Sequence, residues 1–419
     1  MHLILNTFIM KEGFYMPKSI HLTGRGGSPK TMDLKRLNHL KNNLVEFKKI
    51  KKSFSYDSIP TLSPVPIVID HGKINLILLD DALHRTANVK YYDTLQEVHD
   101  EILANPGKLY DLHIGDDANL SEVSNVLITN CTNQQIVNVY IGACVRSLGT
   151  MAFNNNPINL NNPLKTVTFA PTGCVSIGDG AFAQCCNLES VTFPQTTLRS
   201  IGDNAFSDTK KISELTLPGT LAFIGRSAFT MGGGQFGKQV PCRLTFGIPE
   251  DETILVLSPY SFTSFNATGE LRIPSHVKNI PHGCFHNSYS FGEDGWTAGP
   301  TSIVIEGAVS IEGDAFSGYG YYCNHIELSE NNVLRGIGDY AFECFGAEAL
   351  TSIDIPSSVQ AIGTRAFNVF SARLTDLPSE FTLNIHNDEG VISGAPWGLD
   401  RAGWSPPVSK YTINYLGTD

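Results

Sequence analysis

Short runs in which apolar and polar residues alternate recur through most of this chain, and each run is followed at nearly constant distance by a buried-type aromatic. Alternating runs occur near Val139, at Val191 (VTF), Leu215 (LTLP), Leu271 (LRIP) and Ile353 (IDIP). A period of two over three to five residues, ended by Pro or a turn residue, predicts a β-strand with one apolar row. About 14 residues after each run comes Ala-Phe or a close variant, at Phe153, Phe182, Phe206, Phe229, Phe262, Phe285, Phe316, Phe342 and Phe367. A tenth unit ends at Trp397, within Gly394-Ala395-Pro396-Trp397-Gly398.

The clearest units read VTFPQTTLRSIGDNAF (Val191 to Phe206) and IDIPSSVQAIGTRAF (Ile353 to Phe367). The strand contributes an inward apolar row and the Pro after it stops the ladder. The Ile-Gly pair adds a second buried aliphatic and a residue free to take positive φ at a corner. Ala is small enough to let neighbouring coils approach. The aromatic is expected to stack on that of the next coil, each burial contributing about 1.5–3 kcal/mol. One coil cannot bury these faces alone, so the pattern predicts a solenoid of about ten stacked coils.

Strand, Ile-Gly and Ala-Phe in fixed order resemble the BspA-like (Treponema-type) leucine-rich repeats, over roughly residues 112 to 419. That resemblance implies a curved or twisted solenoid with a parallel sheet along one side. It also implies a role in binding host proteins, cells or polysaccharides, and no catalytic residues. The expected fold is therefore mainly β, a leucine-rich-repeat solenoid over 112–419 preceded by a small α+β module over 1–111.

Within that module, Ser28-Pro29 is expected to open a basic helix with Leu37, Leu40, Leu44 and Phe47 on one stripe. Ile67–Asp70 and Ile74–Leu79 read as a hairpin turned at His71-Gly72-Lys73. Asp93 is expected to cap a helix that buries Leu95, Val98 and Ile102. The module would cap the first coil or attach the chain to other proteins, and association with further copies through it is open.

Distances from each aromatic to the next strand are uneven, from 9 residues (Phe206 to Leu215) to 18 (Phe285 to Ile303). Insertions therefore gather at one corner of the coil, where repeat proteins often bind. The longest carry Tyr289, Phe291 and Trp296, and Tyr319, Tyr321 and Tyr322, aromatics in polar surroundings. Such side chains suit sugar stacking or a protein hot spot and are the candidate ligand-binding residues; folding back over the solenoid's flank is the other reading.

Composition narrows the function. The net charge is −11, yet residues 1–52 hold eleven Lys/Arg against three acidic residues, a surplus of eight that leaves the remainder at about −19. An acidic body does not suit nucleic acid. No apolar run reaches the ~18 residues of a membrane span, and the opening apolar stretch lacks a preceding basic region and a small-x-small cleavage site, so no secretory leader is expected. Nine Cys without C-x-x-C spacing imply neither a disulfide framework nor zinc.

Three fragments of chemistry are weak. Gly232–Lys238 resembles a phosphate-binding loop, but Gln239 stands where the magnesium ligand belongs. His282, Cys284 and His286 alternate, yet Cys284 holds the repeat's Ala position. Cys323 with His325 is a conceivable nucleophile and base, with nothing to activate the thiol. No enzyme, cofactor or metal is expected. The reading is a non-enzymatic recognition or adhesion protein for a host-surface glycan or protein. The GAPWG closing unit resembles repeat proteins of bacteriophage structural components, which implies a virion setting with residues 1–111 contacting other virion proteins; a bacterial or protist surface adhesin is the alternative.

Overall fold

The computed structural model describes residues 67–127, 134–155, 162–231, 239–286, 299–318, 323–328, 333–343, 350–368, 380–399 and 411–417, together with the strand backbones of 2–3, 9–10, 13–14, 19–23 and 30–33. The chain forms two compact units, Met1–Val65 and Pro66–Asp419.

In the first unit, Ser19–Thr23 pairs antiparallel with both His2–Leu3 and Lys30–Asp33, and Ile9–Met10 pairs with Gly13–Phe14. The expected helix therefore does not open at Ser28-Pro29, because Lys30–Asp33 extends along a neighbouring strand; its stripe Leu37, Leu40, Leu44 and Phe47 lies outside the described residues.

The second unit is a parallel β solenoid, mainly β. Its long-strand ladder stacks the alternating runs: Asn138 to Ile141 lie beside Thr166 to Phe169, and Thr166 to Thr168 beside Ser190 to Thr192. Further pairs follow, Glu214–Leu217 with Arg243–Phe246, Gly269–Ile273 with Pro300–Ile305 and His325–Leu328, then Ser352–Ile355 with Phe381–Ile385 and Tyr411–Tyr415. The inward row, including Val167, Leu215, Ile303 and Leu383, is fully buried. Strands ending at Leu217, Ile273 and Ile355 stop at the following Pro, as expected from its missing N–H.

A second parallel ladder, not foreseen, is built from the aliphatic of each Ile-Gly pair. Two-residue strands such as Ser147–Leu148, Ser176–Ile177, Ser200–Ile201 and Phe223–Ile224 stack in register. The ladder runs from Glu122–Val123 to Val256–Leu257 and again from Asn279–Ile280 to Ala361–Ile362.

At the third corner the phenylalanines form one column. Phe153, Phe182, Phe206, Phe229, Phe262, Phe285, Phe316, Phe342 and Phe367 stack in that order, with successive ring centroids 5.1–5.7 Å apart. The residue before each Phe is completely buried, and is Ala except for Ser261 before Phe262 and Cys284 before Phe285. A backbone bond joins each Phe N–H from Phe153 to Phe342 to the Ala-position carbonyl of the next coil, for example Phe182 to Ala205 and Phe316 to Ala341, both at 2.8 Å, whereas Phe367 N–H donates to Trp397 O at 3.2 Å.

Glycine's role differs from expectation. The glycines of Ile-Gly do not take positive φ; that conformation falls two residues later, at Met151, Gly180, Asn204, Ser227, Tyr260, Tyr340 and Arg365 among others. Closeness makes the glycine necessary instead. A Cβ on Gly202 would lie 2.3 Å from Asp179 Oδ1 and 2.7 Å from Asp179 N, and one on Gly363 2.4 Å from Asp339 N. In these coils the following Asp closes the gap, as Asp179 Oδ1 accepts the Asp203 N–H at 2.8 Å and Asp203 Oδ1 that of Arg226 at 2.7 Å.

The entry to the solenoid also differs in detail. Ile74–Leu79 pairs not with 67–70 but with Arg85–Tyr92 on one side and Tyr110–Ile114 on the other, so residues 67–73 form the approach and turn. The helix Leu95–Leu103 buries Leu95, Val98 and Ile102, but its cap is Thr94 in a capping box with Glu97. Asp93 is instead paired with Lys73. The sheet runs unbroken from the hairpin into the first coils, and residue 111 falls inside the strand Tyr110–Ile114.

Candidate recognition surface

The six insertion aromatics, Tyr289, Phe291, Trp296, Tyr319, Tyr321 and Tyr322, lie outside the described residues, as do Gly232–Lys238 and Cys344. The expected stacking residues are all placed in the core. Phe153, Phe182, Phe206, Phe229, Phe262, Phe285, Phe316, Phe342 and Phe367 are spent on the column, and Trp397 is also buried. Among the described residues, the candidates for recognition are side chains that leave the ladders.

On the second ladder the outward position is small or polar in most coils: Ser147, Ser176 and Ser200, then Asn279, Ser310, Gly336 and Ala361. Two adjacent coils depart from this. Phe223 and Val256 are registered neighbours, 39% and 53% exposed, with Ile254 also exposed two residues before Val256. Two large apolar side chains therefore face solvent side by side in a row otherwise small or polar. Charge borders it: Arg199 one coil earlier donates to Thr220 O at 3.0 Å, and Lys278 one coil later donates to Ser275 O. Exposed Glu250, Asp251 and Glu252 lie on the loop before Val256, where the Thr253 hydroxyl and N–H hold the Asp251 carboxyl below its ordinary pKa.

A second cluster, missed from the sequence, occupies the long-strand ladder at the entry. Asp111, almost wholly buried, accepts from Arg85 Nε at 2.5 Å and from Asn138 Nδ2 at 2.7 Å, and Asn138 Oδ1 accepts from the Thr166 hydroxyl at 2.7 Å. His113 stacks on Tyr140 with centroids 4.3 Å apart, and the Tyr140 hydroxyl donates to Asp116 at 3.1 Å. Burial, aided by the Arg85 charge, pulls the His113 pKa down to about 4. The available signal was the outward position itself, where Asp111, His113, Asn138 and Tyr140 replace the Thr of later coils; a polar residue between strand apolars normally reads as solvated.

Two of the weak fragments, those at Cys284 and Cys323, fall within the described residues. Pro281–His286 is the aromatic corner, so Cys284 is buried beside Ser261, its thiol pushed up to about 12, while His282 faces Tyr260 and Asp314. Cys323 donates to the backbone carbonyl of His325 at 3.0 Å, and burial raises its pKa to about 11, the reverse of activation. Among the described residues no three His, Cys, Asp or Glu side chains gather to hold a metal, and no helix is long and apolar enough to cross a membrane.

Stacked coils with a strand, an aliphatic-glycine corner and an aromatic column define a leucine-rich-repeat protein. More specifically, the BspA type leucine rich repeat region matches in six copies over residues 160–233, 244–293 and 297–387, just over half the chain, and the chain belongs to that family. Similar solved structures include a leucine-rich repeat protein from Bacteroides ovatus ATCC 8483, 19% identical, covering 72% of this chain and 68% of that one with a TM-score of 0.39. A leucine rich cell surface protein from Faecalibacterium prausnitzii A2-165 is 16% identical over 71% and 83%, with a TM-score of 0.33. The pneumococcal vaccine antigen PcpA is 17% identical over 67% of each chain, with a TM-score of 0.30. No match to a curated protein is found.

Proposed function

We propose that this chain is a non-enzymatic recognition or adhesion protein that binds a host-surface glycan or protein through its solenoid. The observation that carries this is the exposure of Phe223 and Val256 on an outward row otherwise given to small and polar residues. Burying such a pair on a partner repeats on a small scale the burial that stabilises the coil, and the bordering charges supply orientation. Family membership supports the same reading.

The test is a glycan array and a host-surface protein pull-down with the whole chain, alongside the double variant Phe223→Ser, Val256→Ser. Binding is expected to fall at least tenfold with unchanged melting. Absence of any ligand in both screens would end the proposal, and undiminished binding by the variant would move the contact to the insertion aromatics, where Trp296→Ala is the corresponding test.

The finer part of the proposal is a bacteriophage virion setting, with residues 1–111 contacting other virion proteins. The basic segment 1–52 and the closing Gly394–Gly398 unit support it. Mass spectrometry should then find the chain in purified virions. Cleavage by protease added to intact cells would instead favour a surface adhesin.

A further inference from the structure

The last strand of the long-strand ladder leaves its inward row uncovered. Phe381, Leu383 and Ile385, which have a strand on either side, are 4%, 0% and 0% exposed. Their registered partners are not so enclosed: Tyr411 is 38% exposed, and Ile413 and Tyr415 are half-buried. Among the described residues no strand pairs with the far edge of Tyr411–Tyr415.

The groups at that edge have a definite direction. Leu416 N–H donates to Ile385 O at 2.8 Å, and backbone bonding alternates along a parallel strand, so Thr412 and Asn414 also turn their backbone groups to that neighbour. The N–H and C=O of Tyr411, Ile413 and Tyr415 therefore point to the open edge. The outward side chains run the same way: Asn384 Nδ2 donates to Asp354 Oδ1 and Asn414 Nδ2 to Asn384 Oδ1, both at 3.0 Å. A carboxylate only accepts, so Asp354 sets the direction of this chain of bonds. Its last acceptor, Asn414 Oδ1, meets no donor among the described residues.

The opposite edge of the ladder, Arg85–Tyr92, is blunted by Arg85, Lys90 and a register shift against Ile74–Leu79. Tyr-Thr-Ile-Asn-Tyr has no charge, Pro or Gly, so a second copy meets no like charge along it even though the whole chain carries −11. The strand is also nearly symmetric about Ile413. Laid antiparallel on itself about that residue, it sets Ile413 opposite Ile413 of the copy and Tyr411 opposite Tyr415, and these pairs use the backbone groups that point outward. Thr412 then faces Asn414 in the closer type of pair, where its hydroxyl fills the open acceptor.

We infer that two copies of this chain join edge to edge along Tyr411–Tyr415, with the sheet and its inward row continuing across a twofold axis at Ile413. The seam is small. Five residues span about 17 Å of an edge about 10 Å deep, well short of the ~800 Å² per partner in a standard interface, so the dimer is weak and concentration-dependent. Sedimentation velocity on the full chain from about 1 to 200 µM should show the mass rising from one chain toward two, with Kd on the order of 10 µM. Thr412→Lys with Asn414→Lys, both at exposed positions, sets lysine against lysine and should raise Kd at least tenfold with unchanged melting. Thr412→Lys with Asn414→Glu sets each lysine against a glutamate of the copy and should restore pairing. If the two lysines lower the melting temperature, amide exchange in the unaltered chain decides: exchange within 411–415 should slow as concentration rises. A chain monomeric throughout the range, a dimer indifferent to the two lysines, equal weakening by the lysine and glutamate pair, or exchange independent of concentration overturns the assignment.

Discussion

The aromatic corner and the long-strand ladder are built by the same coils, yet they tolerate sequence very differently. At the corner the Gly, Ala and Phe of the repeat are all set close against the neighbouring coil: rings at 5.1–5.7 Å, glycines with no room for a Cβ, and completely buried alanines. On the ladder the inward row meets neighbours in this way, while outward residues vary, running through Thr168, Thr192, Thr216, Thr245, Arg272, the buried Val304 and Glu327. Repetition of a residue type along this chain therefore follows how closely the coils approach there. Phe206, packed between Phe182 and Phe229 and edge-on to Phe193, is the strongest test of the tight side. Phe206→Ala should destabilise by about 3–5 kcal/mol in chemical denaturation, and a loss under ~1 kcal/mol would mean that the column does not hold the coils together.

Gly202→Ala comes next, expected to cost about 2 kcal/mol because the new methyl meets Asp179 at 2.3 Å while the residue's own φ is ordinary. A neutral result would show that the coils can part without loss. The comparison also explains what the sequence misassigned. Ile-Gly was legible as a corner, but whether a glycine serves φ or proximity depends on the neighbouring coil, a full repeat away in the chain and outside the local motif.

His113 is the ladder's exception, an outward side chain stacked on Tyr140. It stays neutral in the fold down to about pH 4, whereas an unfolded chain takes up that proton near 6.5. Its contribution is therefore complete above pH 6.5 and declines as pH falls toward 4. His276 and His286, also lowered by burial, act in the same direction. Urea midpoints should drop from about pH 7.5 to about pH 5, and His113→Phe, which keeps the stack, should shrink the drop; an unaltered drop would assign it elsewhere. The smallest effect belongs to Thr216→Ala on the open part of the ladder, expected within about 0.5 kcal/mol of the parent. A larger loss would mean that outward residues there hold coils together after all.

By itself the sequence determined the repeat, its strands, its aromatic column and its family, because each of these is imposed identically at every coil and so is written many times over. Tertiary structure alone decided the rest. The second ladder uses strands of only two residues, too short for a period to show. The Asp111, Asn138 and Thr166 chain joins three strands, and the Phe223 and Val256 pair is visible only once two coils are set side by side. Features that occur once, and that form between coils instead of within one, leave no period to read.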